Sequence, residues 1–155
     1  MSALARSLRL FLGKRPASLQ VGAICRDMRS GQVLLVTSRG TGRWVIPKGW
    51  PMAGRSLAGA AAQEAWEEGG VSGRIHETEL GRFAYEKDQD EGFSVPVEVR
   101  VFLLEVRSQT DNFPETRQRR RRWFDPRDAA RMVAEPGLKR LLKALPAVGA
   151  TGQGA

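Results

Sequence analysis

The chain has 155 residues, enough for one domain with one core and too few for two independent ones. A single cysteine, Cys25, excludes an internal disulfide and a four-cysteine zinc site. A single histidine, His76, excludes two-histidine metal motifs and leaves a Ser-His-Asp scheme poorly supplied. The formal charge of +8 favours anionic partners: nucleic acid, nucleotides, inositol phosphates or anionic lipid surfaces. Any chemistry therefore falls to carboxylates with a hard metal, backed by arginine and lysine.

The opening stretch MSALARSLRLFLGKRP is basic, acid-free and mildly amphipathic, but it lacks the apolar centre and small-residue cleavage site of a secretory signal. Residues 1–17 read as a tail or an extra edge element. No run approaches the roughly 18–20 apolar residues needed to cross a bilayer, so no membrane partner and a cytoplasmic location are expected. Residues 19–27 and 33–38 read as a β-hairpin turning around Gly31, and 44–46 as a short strand ending at Pro47. Two prolines and two glycines make 47–55 irregular. Ser56 is placed to cap a helix over 57–68, which Gly69-Gly70 stops.

Residues 71–86 return to extended structure, with an acidic loop at 87–92. The stretch 95–106 is the strongest strand, alternating at Val95, Val97, Val99 and Val101. After a loop at 107–116, RQRRRRWF (117–124) reads as an exposed basic edge strand. Residues 125–134, opening on an acidic cap and a proline, and 137–145 read as helices. The tail from 146 to 155 has nothing to bury and is expected to be disordered. The predicted domain therefore spans 18–145, an α/β (α+β) unit with a mixed sheet flanked by helices.

The informative segment runs from Gly49 to Val71. On a helix Glu64, Glu67 and Glu68 stand at i, i+3 and i+4, so all three carboxylates leave one face. Packed together they repel one another and their pKa values rise unless a counter-charge is supplied. A divalent hard cation removes that penalty. Mg²⁺ takes one or two carboxylates and keeps its other positions for waters and substrate phosphates, an arrangement suited to hydrolysing a diphosphate link. A solvated acidic helix face is the plainer alternative from the spacing alone.

The same residues, with Gly49, Gly70 and Val71, follow the spacing G-x5-E-x7-R-E-U-x-E-E-x-G-U. The chain thus resembles the Nudix hydrolase family across GWPMAGRSLAGAAAQEAWEEGGV. The motifs RWVIPKGW, GRFAYE and PETRQRRRRWFDPRDAARMV are similar to its diphosphoinositol polyphosphate phosphohydrolase branch and bacterial relatives. The resemblance implies the Nudix fold, a mixed sheet sandwiched between helices with the box at the active site. It also implies that the Lys48 carbonyl, Glu64, Glu67 and Glu68 hold Mg²⁺, with Mn²⁺ as a second candidate, and that the three glutamates are catalytic. Two charged positions depart from the box, Arg55 where it has glutamate and Gln63 where it has arginine, and Ala65 is smaller than its usual aliphatic residue. Losing both members of a charge pair strands neither charge.

For substrate contacts we assign Arg43 and Lys48, which bracket the strand entering the box, and Trp50 at the pocket entrance. Arg119 and Arg121 complete the set, although alternation along 119–122 does not choose them over Arg120 and Arg122. Glu115 is a further candidate acid; His76, Cys25, Trp44 and Trp66 read as structural. The implied activity is cleavage of dinucleoside or diphosphoinositol polyphosphates. Nucleoside triphosphates or an RNA 5′ end are the nearest alternative substrates. Arg55 and Gln63 keep open a polyanion-binding module with a degenerate site.

Overall fold

Apolar residues on both sides of the first strand, β1 (Ser18–Asp27), commit it to the middle of a sheet covered on two faces. The computed structural model describes residues 17–88 and 92–148. Apart from Ala17, the expected N-terminal tail or edge element lies outside the described residues, as does the tail from 149 onward. The other strands are β2 (Val33–Thr37), β3 (Trp44–Val45), β4 (Lys48–Gly49), β5 (Val71–Ile75), β6 (Gly81–Asp88), β7 (Ser94–Gln109) and β8 (Arg121–Phe124). The helices are α1 (Leu57–Gly69), α2 (Pro126–Met132) and α3 (Pro136–Lys143).

One mixed sheet results. β1 runs parallel to β7 from Ser18↔Val97 to Asp27↔Val106, and antiparallel to β2 and β4. The long β7 serves two partners in turn on its other edge, β6 along its first half and β5 along its second. The expected extended stretch 71–86 is therefore two strands. Lys87 and Asp88, expected in a loop, continue β6 opposite Val95 and Ser94. β8 adds to β2, the edge position predicted for the basic strand, although only its last four residues pair.

Alternation along β1 sends Val21, Ala23 and Cys25 to one face and Ile24 to the other. The first face packs on Ala58, Ala60, Ala61 and Ala65 of α1; their small side chains bring the helix close to the sheet. The second packs on α2 and α3 through Ala129, Ala130, Leu138 and Leu142. Trp44 lies edge-on to Phe124 at 5.3 Å, while Trp66 is only partly covered. The expected sandwich of sheet between helices is what the chain forms. Pro126 sits in the first turn of α2, but the Asp125 side chain makes no capping hydrogen bond.

Candidate active site

The residues after Pro47, expected to be irregular, begin with β4. Its two residues pair with Val21 and Gly22, and this fixes the strand against the box helix. The Lys48 N–H points at that helix and donates to Glu68 Oε1 at 3.2 Å. In extended backbone a residue's N–H and C=O leave on the same side, so the Lys48 carbonyl also faces the carboxylates. Ser56 caps α1 by accepting from the Gly59 N–H at 2.9 Å, and Gly70 closes it in the left-handed region at φ 66°.

Glu64 and Glu68, one turn apart on α1, are 8% and 6% exposed. Burial raises the carboxyl pKa of Glu64, and that of Glu68 is pushed up to about 8, again chiefly by burial. The neighbouring Glu64 charge adds to the rise at Glu68. Arg119 and the Lys48 N–H pull the other way without winning: the Arg119 Nη2 lies 3.3 Å from Glu68 Oε2. Glu67 is less buried, and its Oε1 accepts from Gln63 Nε2 at 3.0 Å. Gln63 thus orients a box carboxylate directly, while Arg55, at the other departure from the motif, is exposed.

The end of α1 also delivers an acid from far along the chain. The Glu67 carbonyl accepts from the Glu115 N–H at 3.0 Å, and the Gly70 carbonyl from the Thr110 N–H at 2.9 Å. Glu115 so enters the same cleft, where its Oε1 accepts from Arg119 Nε at 2.9 Å. This cleft, of ≈ 430 Å³, is lined by Lys48, Trp50, the three box glutamates, Glu115 and Arg119.

Two assignments need correction. Arg121 does not line the cleft; its Nη1 donates to the Gly69 and Thr110 carbonyls at 2.8 and 2.6 Å, and its Nη2 pairs with Asp111. It fastens the end of α1 to the following loop. Arg43 is exposed and folds back on the Thr41 hydroxyl at 3.2 Å, while Arg39 of the same loop lines the cleft. Arg39, Lys87, Gln20 and Tyr85 are cleft residues that sequence reasoning did not single out. Tyr85 had a signal, since it lies in the GRFAYE motif. Its hydroxyl donates to Gln20 Oε1 at 2.8 Å and its ring lies 5.0 Å from the Lys48 ammonium. Burial lowers the Lys48 pKa, partly opposed by Glu68 and Glu135.

Among the described residues no three acidic, histidine or cysteine side chains are already gathered as a metal cage. The donor set nevertheless fits a hard cation. Burial disfavours the charge of both carboxylates even with Arg119 beside Glu68, a backbone carbonyl faces them, and Mg²⁺ asks for no more than this from protein. Gly49 makes the fit: a Cβ there would lie 2.7 Å from Glu64 Oε2 and closer still to its other carboxyl atoms. Gly49→Ala should therefore push the Glu64 carboxylate aside. We expect at least about a tenfold loss of turnover from the misplaced carboxylate, with little loss of stability because the flexible end of Glu64 can give way, measured by steady-state kinetics and thermal unfolding. A fully active variant would show that Glu64 does not need its present position.

A NUDIX domain model matches residues 17–145. Diphosphoinositol polyphosphate phosphohydrolase 3-alpha of Mus musculus is 32% identical over 126 residues, 76% of this chain and 71% of that protein. Nudix hydrolase 4 of Arabidopsis thaliana is 34% identical over 104 residues, 67% of this chain; the chain spans 48% of the plant protein's length. Among solved structures, a C. elegans Ap4A hydrolase binary complex superposes with a TM-score of 0.59 at 20% identity, covering 82% of this chain and 93% of that one. Fold, box helix and family model agree: the chain belongs to the Nudix family.

Proposed function

We propose that the protein is a Mg²⁺-dependent hydrolase of phosphoanhydride bonds in polyphosphorylated small molecules, such as dinucleoside or diphosphoinositol polyphosphates. Mn²⁺ should replace Mg²⁺. The observation that carries this reading is the buried Glu64–Glu68 pair on the wall of a cleft that also holds four basic side chains, Arg39, Lys48, Lys87 and Arg119. The names of the relatives support the substrate class. Glu64, Glu68 and the Lys48 carbonyl would hold the ion, which supplies Lewis acidity to a phosphoryl oxygen.

The chain's own groups supply the rest. Glu67, aimed by Gln63 and less buried than Glu64 and Glu68, accepts a proton from the attacking water. Arg119, fixed between Glu68 and Glu115, and Lys48, resting over Tyr85, set positive charge along the phosphate chain. Trp50, 48% exposed at the cleft, offers a ring face to the end of the substrate. Among the described residues no helix is long and apolar enough to cross a membrane. The one thiol, buried and free, asks nothing of an oxidising compartment, in keeping with work in the cytoplasm.

The test is incubation with Mg²⁺ and a panel of diadenosine polyphosphates, nucleoside triphosphates, diphosphoinositol phosphates and 5′-triphosphate RNA. At least one should be cleaved, and cleavage should vanish in Glu67→Gln and Glu68→Gln. Binding without turnover across the panel would favour a polyanion-binding module instead. If a dinucleotide is the best substrate, Trp50→Ala should raise its KM about tenfold, the worth of one stacked base, and leave kcat nearly unchanged. A KM that does not move would remove Trp50 from the substrate site.

A further inference from the structure

Arg26 is a buried cation that meets no anion among the described residues. The residue is 4% exposed, near the end of β1. Its Nε donates to the Gly31 carbonyl at 3.3 Å, and among the described residues it has no ion pair. Burial lowers the guanidinium pKa, and no carboxylate acts to restore it. A buried charge is costly unless paired and hydrogen-bonded, and a guanidinium carries five N–H donors, of which Gly31 takes one.

The side chain lines a pocket of ≈ 670 Å³ between the β1–β2 turn and helices α2 and α3. Arg127, Arg131 and Lys143 also line it, against Asp125 and Asp128. Arg131 is paired with Asp128, so positive charge is in excess around the unpaired guanidinium. The catalytic cleft is elsewhere: Gln20, which lines it, stands six residues back along the same strand, about 20 Å away at the usual strand rise.

We propose that this pocket is a second anion site, in which the Arg26 guanidinium takes a small phosphate-type oxyanion, apart from the cleft that holds the box glutamates. Arginine's planar fork matches phosphate and carboxylate alike. The surplus of cations favours the more highly charged phosphate.

Inorganic phosphate, added to the metal-free full chain at constant ionic strength, is the direct probe, with acetate as the carboxylate comparison. The Nε–H signal of Arg26, assigned by its loss in Arg26→Met, should shift saturably with phosphate, and Trp50→Ala should not alter that response. Calorimetry should find one phosphate-binding event weakened at least about tenfold in Arg26→Met, since a charge-assisted pair is lost. The double variant Arg127→Ala/Lys143→Ala leaves Arg26 in place and should weaken the same event by about two- to fivefold through the lost field. It decides the matter if Arg26→Met fails to fold. No saturable shift at tens of millimolar phosphate, an equal response to acetate, or unchanged affinity in the double variant would each overturn the proposal.

Discussion

With Glu68 in its proposed role as a metal ligand, Glu68→Gln is expected to cut turnover by about a thousandfold or more, while stabilising the metal-free protein in alkaline solution. The two effects share one cause. In the folded chain the Glu68 carboxyl titrates at about 8, above its ordinary value of 4.5, because burial disfavours the charge. A pKa raised by folding contributes stability that is complete below the unfolded value and is lost as pH rises through the folded one. Wild type without metal should therefore weaken from about pH 4.5 to pH 8 as this proton is lost. Glutamine, neutral throughout, escapes that loss and can still accept from the Lys48 N–H.

Arg119 sets the limit on the gain. It loses a charged partner in the variant but keeps Glu115 at 2.9 Å, so the net advantage above pH 8 should be on the order of 1–2 kcal/mol, a few degrees in melting temperature. Thermal unfolding with chelator from pH 5 to 9, beside kcat on the best substrate, reads both effects. A variant that retains a tenth of the activity, or melts below wild type at pH 9, would contradict the role given to this residue.

The box was legible because helix spacing alone carries side-chain direction: residues three and four apart share a face wherever the helix sits. Glu64, Glu67 and Glu68 accordingly meet in one cleft. Alternation in strands carries direction too, which is why the strand over 95–106 could be anticipated, although β7 runs on to Gln109 through three residues expected in a loop. Loops carry no such rule. Arg119 and Arg120 precede β8, so alternation does not govern them, and Arg119 is aimed by Glu68, Glu115 and the Thr37 carbonyl. Arg121 does lie in the strand, yet its partners are carbonyls at the end of α1 that no local pattern announces. The exchange of Arg43 for Arg39 has the same origin, since a Thr41 hydroxyl two residues away captures one side chain. β4 escaped notice because two residues are too few for a pattern, and its pairing is decided by β1.

The raised pKa of Glu68 should also make metal binding strongly dependent on pH. A cation and a proton compete for the same oxygens, so binding the ion releases the proton wherever Glu68 is still protonated. Between pH 6 and about pH 8, where that pKa lies, the apparent affinity for Mg²⁺ should climb up to about tenfold per pH unit, one proton exchanged per ion, and then level off. The Mg²⁺-induced rise in melting temperature should grow over the same interval, because stabilisation by a ligand follows the logarithm of its concentration over its dissociation constant. Calorimetric titration in buffers of different ionisation heat counts the released protons directly. Mn²⁺ should bind more tightly with the same slope, since the slope belongs to the carboxylates and the affinity to the ion. An affinity that stays flat from pH 6 to 8, or a titration that releases no proton, would mean that the ion is held by other groups and that the Glu64–Glu68 pair is merely a buried feature of α1.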